Sequence, residues 1–82
     1  MEFSFKVRKP TNLQELFERA KSDAKEHNIT WNGDIKHGHG SGFGFEGSYS
    51  VDIHFITITV FKKPLLISKT KVEREVKKYI LL

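Results

Sequence analysis

The sequence predicts an α+β fold of order β-α-β-β-β-α, a four-stranded, mostly antiparallel sheet with two helices on one face. Three observations predict it. Residues 2–8 alternate polar and apolar, as a half-buried strand does. Residues 11–28 and 68–80 place their apolar side chains at helical spacing. Between them lies a stretch rich in aromatic and β-branched residues that also holds all 6 glycines of the chain. Each helix then has one apolar stripe and the sheet one apolar face, so both helices are expected on that face.

The 82 residues are expected to form a single domain, 1–82. A domain this small buries only roughly 60% of the surface its unfolded chain exposes, so its core must be dense in large side chains. The 7 Phe, 2 Tyr and 1 Trp meet that need. With 0 Cys there is neither a disulfide nor a Cys-ligated zinc to add stability, which suits a reducing cytoplasm. Residues 1–10 do not form the continuous apolar run of a signal peptide, and no stretch approaches the ~20 apolar residues of a membrane span. The expectation is a cytoplasmic protein. The formal net charge of +4 favours polyanions or an anionic surface as partners.

In the first strand Phe3, Phe5 and Val7 share a face, and Pro10 ends the element. The helix at 11–28 opens on Thr11 with Gln14 three residues on, the pattern of a capping box. Leu13, Leu16, Phe17, Ala20 and Ala24 form its stripe, Glu15 and Arg19 are spaced for an i,i+4 pair, and Asn28 suits a left-handed C-terminal position. Residues 29–36 are expected as the second strand, with Ile29, Trp31 and Ile35 on one face. Residues 36–41, KHGHGS, are expected to turn.

Parity then divides the central stretch. Phe43, Phe45, Tyr49 and Val51 are odd-numbered, whereas Ile56, Ile58 and Val60 are even. A tight turn at Asp52–Ile53 reconciles the two sets and sets Tyr49 opposite Ile56, Gly47 opposite Ile58 and Phe45 opposite Val60, all in the core. The preceding turn, if centred on His39, sets Ile35 opposite Phe43 and Trp31 opposite Gly47, an aromatic covering a glycine. Lys62, Lys63 and Pro64 end the last strand, and Leu65, Leu66 and Ile67 form an apolar connector. The final helix starts near Ser68 or Thr70, where Thr70 and Glu73 make a second capping box, and buries Val72, Val76, Tyr79 and Ile80; Leu81 and Leu82 extend its apolar end.

Few motifs carry chemistry. Gly42–Gly47 satisfies G-x-G-x-x-G, but a dinucleotide site needs that motif between a strand and a helix, and here a strand follows. Gly42, Phe43, Gly44 and Phe45 resemble part of the RNP1 signature of RNA-recognition domains, whose aromatics stack on bases. Ser41, Glu46 and Ser48 depart from it, and the periodicity buries both aromatics. His37 and His39 would lie on one side of an extended segment, with His54 or Asp34 as a third metal ligand; the simpler reading is an exposed polar turn. Ser41, Ser48 and Ser50 have no base beside them, and Asp34, Glu46 and Asp52 are isolated carboxylates. No catalytic set, cofactor site or metal site is assigned.

The chain as a whole resembles the small polyhydroxyalkanoic acid system proteins of bacteria. The likeness rests on Trp31-Asn32-Gly33-Asp34, the glycine-bearing hairpin that follows, Lys63-Pro64-Leu65-Leu66, and Val72-Glu73-Arg74-Glu75-Val76. It implies a small cytosolic accessory protein associated with polyester-storage granules, and it implies no catalytic residues.

The leading functional expectation is therefore a non-enzymatic accessory or binding module. Its contacts with an anionic or granule surface would be Lys62, Lys63, Lys69, Lys71, Arg74, Lys77 and Lys78, and its contacts with a partner protein Leu65, Leu66 and Ile67. One alternative is a nucleic-acid-binding module using the same basic third or the Ser/Thr face of the sheet. Another is a small-molecule-binding domain with a pocket between sheet and helices, holding Asp34 or a histidine.

Overall fold

The structure, a computed structural model, describes residues 2–81. Leu82, the last of the expected apolar C-terminal residues, lies outside them. Strand β1 (Phe3–Arg8) leads into helix α1 (Leu13–Glu26). Four strands follow, β2 (Thr30–Gly33), β3 (His37–Gly42), β4 (Phe45–Val51) and β5 (Phe55–Lys62), and helix α2 (Lys69–Ile80) closes the chain. The fold is α+β, and its sheet is antiparallel with five strands in the order β1-β5-β4-β3-β2. The first strand is thus the neighbour of the last.

The extra strand is the main correction. The segment expected to turn at 36–41 is β3, and its glycines are the reason it escapes the usual strand signal. Gly38, Gly40 and Gly42 alternate with His37, His39 and Ser41, so the period of two is present but the inward positions carry no side chain. What was expected as one hairpin around His39 is two hairpins. Trp31 therefore lies opposite Gly40, not Gly47, and Ile35 falls in a bend outside the strands.

The turns share a chemistry. Asp34 Oδ1 accepts hydrogen bonds from the backbone N–H of Lys36 (2.8 Å) and of His37 (3.1 Å), and the Asp34 N–H donates to His37 O (2.9 Å). Asp52 repeats this: its Oδ1 accepts from His54 N (2.8 Å) and Phe55 N (2.7 Å), and its N–H donates to Phe55 O (2.9 Å). In both, aspartate opens the turn. It sits at the first position, so the β4–β5 turn centres one residue later than expected. The register slides by two accordingly: Val51 faces Ile56, Tyr49 faces Ile58, and Gly47 faces Val60, with an irregularity between Glu46 and Gly47. The facing assignment survives because a slide of two preserves parity.

The β3–β4 turn is Phe43-Gly44, and both residues have positive φ, 53° and 84°. Two such residues between antiparallel strands make a type I′ hairpin, where Asn-Gly is the favoured pair. Phe43 was expected in the core; it stands 70% exposed at the hairpin tip. An L-residue held in this left-handed region costs roughly 1–2 kcal/mol.

Helix α1 ends as expected. Asn28 has φ 58°, its N–H donates to Lys25 O (3.4 Å), and Ile29 N–H donates to Ala24 O (2.8 Å), a Schellman closure. The starts differ. Asn12, not Thr11, occupies the N-cap of α1 and makes no side-chain cap bond, so the Thr11–Gln14 box does not form. In α2 the cap is Ser68, whose Oγ accepts from Lys71 N (3.1 Å), in place of Thr70. Leu16 from α1 and Val72 and Ile80 from α2 pack with Phe5, Val7, Ile56 and Val60 in one buried cluster, so both helices cover the same face. Arg19 does not pair with Glu15 but reaches α2, donating to Tyr79 O (2.6 Å) above the Tyr79 ring, while the Tyr79 hydroxyl bonds Asp23.

Candidate functional site

The rows of side chains across the sheet show where the helix-covered face is filled and where it is bare. One row runs Phe3, Val60, Gly47, Gly40, Trp31; the next runs Phe5, Ile58, Tyr49, Gly38, Gly33. In the second row Tyr49 covers its glycine: a Cβ at Gly38 would lie 2.6 Å from the tyrosine ring. Gly42, at the end of β3, lies under Ile29, whose Cγ1 would be 3.0 Å from a Cβ there. Nothing covers Gly40, where a Cβ would meet only the Thr30 carbonyl oxygen at 3.3 Å. At Gly47 beside it the nearest atoms are β5 backbone, with Thr59 O 2.8 Å from where a Cβ would lie. The middle of the first row is missing two side chains.

That gap is the floor of a cleft of about 520 Å³, inside the roughly 300–1,000 Å³ range of small-molecule sites. Phe45, Ile58 and Val60 line it from the sheet, Val72 and Val76 from α2, and Ile29 and Ile67 from the connectors. Trp31 and Tyr49 complete the lining on the β2 side, where they pack with Phe17 of α1 at ring distances of 5.8 and 5.4 Å. The charged residues of the lining are Lys71 and Glu75 of α2 and Glu46 of β4. Lys71 makes no salt bridge among the described residues.

The aromatic end is held by polar contacts. Trp31 Nε1–H donates to the Tyr49 hydroxyl (3.1 Å), which donates to Asp34 O (2.5 Å). Burial raises the Tyr49 pKa above its ordinary 10.0, while the Trp31 hydrogen bond opposes that shift. The Asp34 carboxylate is held below its ordinary 3.8 by the backbone N–H groups of Lys36 and His37. Asp34 thus supports the cleft through its backbone and its turn, and its side chain does not line it.

The residues singled out from the sequence do not make one patch. Lys62 ends β5 and Lys63 follows it, and Lys62 lies opposite Glu46 in register. On α2, Lys69 sits over the Phe3 ring (5.5 Å), Lys77 pairs with Glu73 (2.7 Å), and Lys71 turns to the cleft; Arg74 and Lys78 are exposed. Leu65 and Leu66 are 91% and 100% exposed, whereas Ile67 packs against the core and lines the cleft.

His37 and His39 both lie on the face of the sheet away from the helices, in register with Ser50 and Ser48. His39 approaches Glu46 (3.7 Å) and stacks on Phe61 (6.5 Å between rings), and His54 sits in the turn beside Phe55. Among the described residues no three His, Asp or Glu side chains converge on a metal position.

The sequence reading missed the cleft floor. Its signal was available, three glycines at alternate positions in His37–Gly42, HGHGSG. No family model, no curated protein and no solved structure matches the chain. Among the described residues no helix is long and apolar enough to cross a membrane.

Proposed function

We propose that this chain is a binding module for a small aliphatic molecule with an anionic end, held between the sheet and α2. The observation that carries the reading is the cleft over Gly40 and Gly47, apolar on floor and walls, with Lys71, which makes no salt bridge among the described residues, among its lining residues. Apolar walls favour a hydrocarbon chain, because moving its surface out of water contributes about 25 cal/mol per Å². A lysine at the edge of such walls favours a carboxylate or phosphate at one end. The small-molecule alternative is thereby placed ahead of surface attachment through α2, whose basic residues are spread over several environments.

Dodecanoate is a direct probe, and Trp31, the single tryptophan, reports from the cleft wall. Titration is expected to change Trp31 emission saturably. Gly40→Leu and Val76→Phe, which fill the cleft from opposite sides, are expected to abolish that change while the protein stays folded by circular dichroism. A titration without saturation, or filled variants that bind as the native chain does, would overturn the reading.

A further inference from the structure

One end of the molecule carries apolar side chains that the fold does not use. Leu65 and Leu66 are 91% and 100% exposed in the β5–α2 connector, and Phe43 is 70% exposed at the tip of the β3–β4 hairpin. The two loops touch: a Cβ at Gly44 would lie 3.2 Å from Pro64 Cγ. Residues distant in sequence are thus brought to one end of the sheet.

Phe43 is the informative member. It occupies a left-handed position (φ 53°) that asparagine or glycine fills without strain. Its ring makes an edge contact with His27 (6.4 Å between rings) and belongs neither to the buried core cluster nor to the side chains packed against it. A bulky residue in such a conformation, displayed to solvent, points to a use outside the fold.

Cations adjoin the connector. Lys62 and Lys63 precede Pro64, with Lys63 Nζ donating to Pro64 O (3.4 Å) and Glu46 facing Lys62. Lys25 and Glu26, in the last turn of α1, balance each other in charge. Apolar side chains projecting ahead of lysines match an anionic lipid surface, where hydrocarbon lies beneath a layer of negative headgroups.

We propose that the tip formed by Phe43, Leu65 and Leu66 inserts into an anionic phospholipid surface, with Lys62 and Lys63 at the headgroups. This differs from attachment through the basic face of α2, and it does not depend on the cleft holding a ligand.

The test is flotation of the protein with phosphatidylcholine vesicles with and without phosphatidylglycerol. The native chain is expected to float with the phosphatidylglycerol vesicles. Leu65→Ser combined with Leu66→Ser is expected to lower the partition coefficient at least roughly tenfold, from the loss of two buried leucines. Lys62→Gln and Lys63→Gln are each expected to lower it about fivefold on the anionic vesicles, with added salt removing the difference. Phe43→Asn is expected to weaken flotation while raising the thermal midpoint, a pair of effects that a purely structural role for Phe43 does not produce. Gly40→Leu is expected to float as the native chain does, which separates this proposal from the cleft. The proposal is overturned if the native chain stays with the soluble fraction, if the double serine variant floats unchanged, or if sedimentation shows the tip joining two copies of the chain with no vesicle binding.

Discussion

The ring of Tyr49 occupies the space that a side chain at Gly38 would need, with ring carbons 2.6 Å from an added Cβ. The tyrosine thereby substitutes for the missing inward side chain of the neighbouring strand, and its own hydroxyl reaches on to Asp34 O. Gly38→Ala is expected to displace the ring and destabilise the protein by about 1–3 kcal/mol, the usual cost of overpacking. Gly40→Ala, two residues away and uncovered, is expected to cost at least about 1 kcal/mol less. Paired urea melts of the two variants decide the point; equal losses would mean that Tyr49 does not lie as described.

Removing the Tyr49 hydroxyl tests the polar support of the cleft. Tyr49→Phe leaves the Trp31 indole N–H and the Asp34 carbonyl without that partner. A loss of about 1–2 kcal/mol is expected, together with a change in the Trp31 emission maximum. Unchanged emission would show that the indole is not bonded there.

Acid should loosen the two aspartate-opened turns. Hydrogen bonds from Lys36 and His37 depress the Asp34 pKa, and those from Phe55 and His54 depress that of Asp52. A group with a depressed folded-state pKa contributes stability that is present above its unfolded value and lost as pH falls through the folded one. Stability is therefore expected to decline as pH drops below the ordinary aspartate value of 3.8. Asp34→Asn and Asp52→Asn together should flatten that decline in denaturant melts taken as a pH series.

Base acts through the two tyrosines. Burial raises Tyr49, and burial followed by the Asp23 hydrogen bond raises Tyr79, each above 10.0. Raised acids of this kind contribute stability that is full below their unfolded value and falls as pH rises through the folded value. Spectrophotometric titration of the native chain is expected to show both phenols ionising above 10.0, and Tyr79→Phe should lose about 1 kcal/mol at neutral pH.

The hairpin tip is open to improvement at the expense of its apolar surface. Phe43→Asn places the favoured residue at the first position of the type I′ turn and relieves a left-handed strain worth about 1–2 kcal/mol. A rise in thermal midpoint is expected. A fall would mean that the edge contact between Phe43 and His27 outweighs the strain.

Most of the element plan was legible because alternation and helical spacing report which side chains meet the core. Phe3, Phe5 and Val7, or Val72, Val76 and Ile80, announce their face wherever the strand or helix sits. The third strand was not legible because that method counts apolar residues. In β3 the inward positions are Gly38, Gly40 and Gly42, and an empty face leaves no apolar period to count. Phe43 was misplaced for a related reason: its parity matched Phe45 and Tyr49, but parity holds only within a strand, and Phe43 lies in the turn. The turn residues Asp34-Ile35 and Asp52-Ile53 form a repeated signal that marks the opening of both turns. It is local, since the aspartate carboxylate bonds backbone two and three residues on.

The sequence alone determined the α+β class, the facing of the apolar residues within β1, β4 and β5, and the left-handed end of α1 at Asn28, because each depends on neighbours within a few residues. It also supplied the lysines and the leucines of the connector, without saying which of them would meet. Tertiary structure decided the sheet order, which placed β1 beside β5. It decided that Tyr49 and Ile29 cover two glycines of β3 while Gly40 stays bare, leaving a cleft. It brought the β3–β4 turn against the β5–α2 connector, where Gly44 meets Pro64. Each of these depends on which non-neighbouring side chains occupy one volume, and spacing along a chain does not encode that.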